Sequence, residues 1–164
     1  MLTNSLMPPP VPRHIRTFVR ACRFAAREPR PALVMLRMAG WVASLALLVR
    51  LVPLTRALAL LTPRRRPAPP PDPDAVQRET ARLLDLVLAA DFWVFTPTCW
   101  KRAPVLHRFL ALRGIETRVV FGVRQGGGHA LDGHAWLEAG GQPLLETTPP
   151  NYRVTFSHPA ATGG

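Results

Sequence analysis

The 164 residues have room for one domain of ordinary size, and a hydrophobic content of 48% is enough to fill a core, which excludes wholesale disorder. The net charge is +11, with most of the excess in the first 66 residues. That balance favours an acidic peptide or an anionic membrane surface as partner. The charges carry no interleaved aromatics and no binding motif, so no nucleic acid is expected. The two cysteines, Cys22 and Cys99, are far apart, which fits neither a disulfide framework nor a metal-ligand spacing. The polar, proline-rich start has no compact apolar segment of the secretory kind, and a reducing cytosol is the default compartment.

Residues 1–12 read as a loose tail. Over residues 13–27, Ile15, Phe18, Val19 and Cys22 recur at helical spacing between arginines and predict a short basic amphipathic helix. Glu28-Pro29-Arg30-Pro31 breaks it. The strongly apolar segment 32–61 follows, through Leu36, Met38, Trp41, Leu45, Leu48 and Leu51. Arg37 and Arg50 leave an uncharged stretch of only 12 residues between them, where a membrane span needs about 20. With Pro53 ending the first helix, the segment predicts a helical hairpin packed on the core, on a partner or peripherally on a membrane surface. The proline-rich run 63–73 reads as a stiff linker between an N-terminal helical segment (1–62) and a second domain (74–164).

In that domain Asp74 is placed to cap a helix running to about Ala90, with Val76, Leu83, Leu84, Val87 and Leu88 on its apolar face. A second helix follows Cys99 and ends at Gly114. The period then changes. Residues 117–123 are rich in β-branched side chains and predict a strand; 134–138 and 144–147 predict two more, joined as a hairpin through Ala139-Gly140-Gly141. The layout is α+β, with helices packed on a small antiparallel sheet.

Cys99 sits where a loop (95–98) enters a helix, and the partial positive charge of a helix N-terminus favours a thiolate. Lys101 and Arg102 add positive potential, while Pro104 falls in the first turns and shifts or kinks the helix. The competing reading of Cys99 is a small buried hydrophobe. On a strand His134 and Trp136 share a face, so an indole would shield the imidazole. The acid depends on hairpin register. A three-residue loop pairs Glu138 with Gln142 and sets His134 opposite Glu146, near enough for a carboxylate to hold the imidazole tautomer. A two-residue Gly-Gly loop puts Glu146 on the other face. Asp132 and Glu138 are the competing acids, Asp132 reading more as a turn residue.

The stretches Cys99-Trp100-Lys101-Arg102-Ala103, Phe109-Leu110-Ala111-Leu112-Arg113-Gly114, Val119-Val120-Phe121-Gly122-Val123 and Gly133-His134-Ala135-Trp136-Leu137-Glu138, in that order, resemble the transglutaminase-like (papain-like) processing proteins of lasso-peptide biosynthesis. The resemblance covers about residues 74–150, and Arg50-Leu51-Val52-Pro53-Leu54 is similar to the N-terminal part of stand-alone members. It implies a cysteine peptidase that removes the leader from a ribosomally made precursor peptide, with Cys99, His134 and the acid at position 146 as triad. That acid is usually aspartate in the family, and here it is Glu146. A leader-recognition protein and an ATP-dependent macrolactam synthetase are the partners so implied. No cofactor is expected: Gly126-Gly127-Gly128 lacks the continuation of a phosphate loop and reads as a flexible loop or lid, and His107, His129 and His134 lack ligand spacing. Two other classes stay open. One is an acyltransferase on the same fold; the other is a non-catalytic binding module whose working part is the N-terminal half.

Overall fold

Pro29 opens the first helix at a position where its missing N–H costs nothing. In this computed structural model, which describes residues 27–65, 67–89, 99–125, 131–146 and 148–159, helix α1 spans Pro29–Leu51 and α2 spans Leu54–Leu61. The break between them is extended Val52 followed by Pro53, as the sequence predicts. Helix α3 spans Pro73–Leu88. Its cap is Asp72, whose carboxylate accepts from the Ala75 N–H at 2.9 Å. The expected cap, Asp74, lies in the first turn instead, because Pro73 takes the first helical position and moves the cap one residue upstream of it.

Helix α4 is described over Cys99–Ala111 and runs unbroken through Pro104. At its end Ile115 N–H reaches the Leu110 carbonyl and Gly114 N–H the Ala111 carbonyl, a Schellman closure with Gly114 at φ 79°. A Cβ at Gly114 would also meet the Ala68 carbonyl oxygen at 2.4 Å, so the proline-rich run lies directly against this turn.

Four antiparallel strands follow: β1 Arg118–Gln125, β2 Leu131–Ala139, β3 Gln142–Leu144 and β4 Arg153–His158, in the spatial order β3-β2-β1-β4. β4 is an addition to the sequence reading. Its Val154 and Phe156 alternate with polar residues, but the run is short and follows two prolines. The loop joining β2 and β3 is Gly140-Gly141, both at positive φ, with Ala139 paired to Gln142. This corrects the three-residue loop and its Glu138–Gln142 pairing: two glycines satisfy a two-residue hairpin turn that needs positive φ twice.

The helices cover one face of the sheet. Met38, Val42 and Leu45 of α1, Ala57 and Leu61 of α2, Leu83, Leu84 and Leu88 of α3, and Val105, Leu106 and Leu110 of α4 share one buried cluster with Val119, Ala135 and Leu137. Although α1 is long and apolar enough to cross a membrane, its buried residues belong to this core. Arg108 ties the helices together. Its guanidinium lies 3.9 Å over the Trp41 ring and its Nη1 donates to the Leu61 carbonyl at 3.0 Å. Most of the helix expected over 13–27, Cys22, His129, the loop 95–98 and the glycine run 126–128 lie outside the described residues.

A second polar tie closes the chain on itself. The Thr62 hydroxyl lies 3.0 Å from the Leu58 carbonyl, 3.3 Å from His107 Nε2 and 3.1 Å from His158 Nε2, and His107 Nδ1 lies 2.9 Å from the Thr117 hydroxyl. With the Thr62 proton on the Leu58 carbonyl, both imidazoles donate to the Thr62 oxygen from Nε2. Burial holds His158 below its ordinary value of 6.5. Between those two values the unfolded chain binds the proton and the folded one does not, so stability is complete above about pH 6.5 and falls as pH drops through that window. Denaturant midpoints measured from pH 7.5 down to 5 should decline, and His158→Gln should remove part of that decline.

Gly114→Ala combines a left-handed backbone with a collision against main chain. It should cost about 1–3 kcal/mol, read as a lower urea midpoint at unchanged slope.

Candidate active site

The face of the sheet turned away from the helices carries the polar residues. Along β2 the register places Asp132, His134, Trp136 and Glu138 on one side, opposite Arg124, Gly122, Val120 and Arg118 of β1. The chain must travel from β3 at one edge to β4 at the other, and in doing so it crosses this face. Two observations fix its path. A Cβ on Gly122 would meet Tyr152 Cβ at 2.8 Å and the Trp136 ring at 3.0 Å, so Gly122 leaves the space that Tyr152 occupies. The Tyr152 ring lies 5.2 Å from the His134 ring and 6.2 Å from Trp136, and His134 stacks on Trp136 at 5.9 Å and 17°.

Glu146 stands at the start of this crossing. In the observed register Glu146 would face the helices, as the two-residue loop implies. The ladder stops at Leu144, however, and Leu145 adopts φ 58°. That left-handed residue turns the chain over, and Glu146 Oε2 comes to 3.3 Å from His134 Nε2. The His134–Glu146 contact expected from sequence is present, but it arises from a turn and not from cross-strand pairing.

The competing acids have other partners. Glu138 pairs with Arg118 and accepts from Trp136 Nε1 at 3.1 Å. Asp132 is a strand residue rather than a turn residue. It accepts from Arg124 Nε at 2.8 Å and from the Tyr152 hydroxyl at 3.0 Å. The Arg124 bond first, then the Tyr152 bond, hold its carboxyl below the ordinary carboxylate value. Burial, then the hydrogen bond to Asp132, push the Tyr152 phenol up. Arg124 also lies 4.5 Å over the Tyr152 ring, so the far end of the crossing segment is clamped by a ring stack, an ion and a hydrogen bond.

Cys99 is half-buried, a free thiol at the first described residue of α4, and packs against the core cluster. Among the described residues no hydrogen bond joins Cys99 to His134. One turn along α4, Arg102 forms a two-point bond to Asp85 at 2.7 and 3.1 Å, which raises the guanidinium further, and it also senses the charge of Glu146. No group of three or more His, Cys, Asp or Glu side chains among the described residues is arranged to hold a metal. Sequence reasoning missed Leu145 and Tyr152. The only signal for Tyr152 was a lone tyrosine just after two prolines, ahead of an alternating run.

A helix carrying a half-buried cysteine, packed on an antiparallel sheet whose second strand carries a carboxylate-bonded histidine, defines a transglutaminase-like domain. The family model for the transglutaminase-like superfamily matches residues 39–157, and the chain belongs to that superfamily, whose members include cysteine peptidases and acyltransferases. The chain matches no curated protein and no solved structure.

The left-handed backbone at Leu145 costs a branched side chain about 1–2 kcal/mol. Leu145→Gly should keep the turn and leave the His134 proton on Nε2, whereas Leu145→Val should lose that tautomer preference and about 1–2 kcal/mol of stability. Imidazole nitrogen NMR and a urea melt read the two effects.

Proposed function

We propose that the protein is a cysteine peptidase that removes the leader from a ribosomally made, lasso-type precursor peptide, with Cys99 as nucleophile, His134 as base and Glu146 as the acid that orients it. The observation that carries this reading is the Nε2–Oε2 contact between His134 and Glu146. It commits the proton to Nε2 and leaves the lone pair of Nδ1 to take a proton from a thiol. Stacking on Trp136 and Tyr152 holds the ring in that orientation.

Cleavage follows from those roles. Cys99 gives its proton to His134 and the thiolate adds to the scissile carbonyl. Backbone N–H groups near Cys99 stabilise the oxyanion. His134 returns the proton to the leaving amine, and the C–N bond breaks. Water then attacks the thioester, again with His134 as base, and releases the acid product. The same intermediate intercepted by an amine would give acyl transfer, and product masses separate the two outcomes.

The lasso-type substrate rests on the sequence resemblance, as do a leader-recognition protein and a macrolactam synthetase as partners in the cytosol. A second reading, a binding module worked by the N-terminal helices, is favoured by the exposed Leu33, Leu36, Leu47 and Leu51 along α1, interspersed with Arg30, Arg37 and Arg50. Peripheral membrane contact through residues 13–61 would use the same surface.

Iodoacetamide labelling at pH 6–7 with peptide mass mapping separates the catalytic reading from the binding module. Cys99 should be alkylated at least about tenfold faster than Cys22, and His134→Ala should remove that advantage. Glu146→Gln should lower cleavage of a precursor peptide about 10²-fold or more while the fold persists. Slow labelling that is indifferent to His134 would sink the peptidase assignment.

A further inference from the structure

A surface groove of about 450 Å³ lies between α3 and α4, lined by Arg78, Ala81, Arg82, Asp85 and Leu86 of α3, by Arg102 of α4 and by Leu145. Its size suits a short stretch of peptide. Three of the lining side chains are arginines. Asp85, the one carboxylate among the described lining residues, is already held at two points by Arg102. Arg78 and Arg82, one turn apart on α3 and exposed, are left facing the groove with positive charge in excess. The apolar part of the wall comes from Ala81, Leu86 and Leu145.

The groove adjoins the candidate active site at two points. Arg102 is three residues along α4 from Cys99, on the same side of the helix. Leu145 is the residue whose left-handed turn delivers Glu146 to His134.

We propose that this groove is a substrate subsite that receives an acidic side chain beside an apolar one in the peptide segment flanking the scissile bond. The guanidinium forks of Arg78 and Arg82 meet the carboxylate, and Leu86 and Leu145 pack its apolar neighbour. The subsite deepens the peptidase reading and rests on it for the position of the scissile bond. The sequence makes the local charge specific. The excess of +11 lies mostly in the first 66 residues, so a basic groove on α3 and α4 is not a by-product of a uniformly basic domain.

The test reads binding, so it does not depend on turnover. The full chain carrying Cys99→Ala is titrated with a fluorescein-labelled peptide alternating aspartate with leucine, and with the same peptide bearing asparagine for aspartate. The aspartate peptide should bind about tenfold tighter. The Arg78→Glu/Arg82→Glu double variant should abolish that preference. Arg64→Glu/Arg65→Glu, the same change of net charge at exposed residues outside the groove, should leave it within about twofold. In the protein with its native thiol, saturating aspartate peptide should slow alkylation of Cys99. Equal affinity for the two peptides, equal loss in both double variants, or an unshielded Cys99 would each overturn the subsite. If Cys99 proves unactivated by His134 while the selective binding and the shielding persist, the peptidase reading falls and the acidic-peptide groove stands.

Discussion

The passage of the chain from one edge of the sheet to the other decides what this domain is able to do. β3 and β4 lie at opposite edges with β2 and β1 between them, so the connection must cross the face that carries His134. One end of the crossing presents Glu146 to the imidazole edge, and the other lays Tyr152 against the ring. The histidine is thus held by two groups of one segment, from two directions. Gly122 makes room for that segment and Leu145 aims it.

Helices and the first two strands were legible because their signals are local. Prolines at 29, 53 and 73 mark helix starts and stops, Gly114 closes α4, and the β-branched run near 119 marks a strand. The register of the hairpin was not legible, because Gly140-Gly141 and Ala139-Gly140-Gly141 are both reasonable turns and the choice between them rests on backbone dihedrals. The His134–Glu146 pairing was reached from the wrong register. A leucine at positive φ reversed the consequence of the two-residue loop, and nothing in a sequence announces such a residue. β4 and Tyr152 went unread because a six-residue edge strand after two prolines carries little pattern of its own.

The N-terminal helices look separable in sequence, set off by a proline-rich run, yet their side chains lie in the same core as the sheet. Arg108 shows the physical basis. It sits on the cysteine-bearing helix, stacks on an indole of α1 and binds the carbonyl that ends α2. The position of Cys99 is therefore referenced to residues some fifty positions upstream. This agrees with a family match that begins at residue 39, inside α1. The sheet supplies the histidine and the helical layer positions the cysteine, so the site depends on the junction between the two layers.

The crossing segment also has a consequence for the order in which the molecule is assembled. It is anchored at both ends on side chains of β2, and β4 closes against Thr62 near the end of the helical hairpin. The Thr62–His158 contact spans 96 residues and forms late, because its loop-closure entropy is offset only once the intervening elements are in place. The two anchors on β2 span 12 and 20 residues and are local. The contact between the Glu146 carboxylate and the His134 imidazole therefore belongs to the local assembly of the hairpin, ahead of the closure of β4 on the helical layer. A partly folded chain would hold the histidine and the carboxylate together before the contact between Thr62 and His158 closes the two layers on each other.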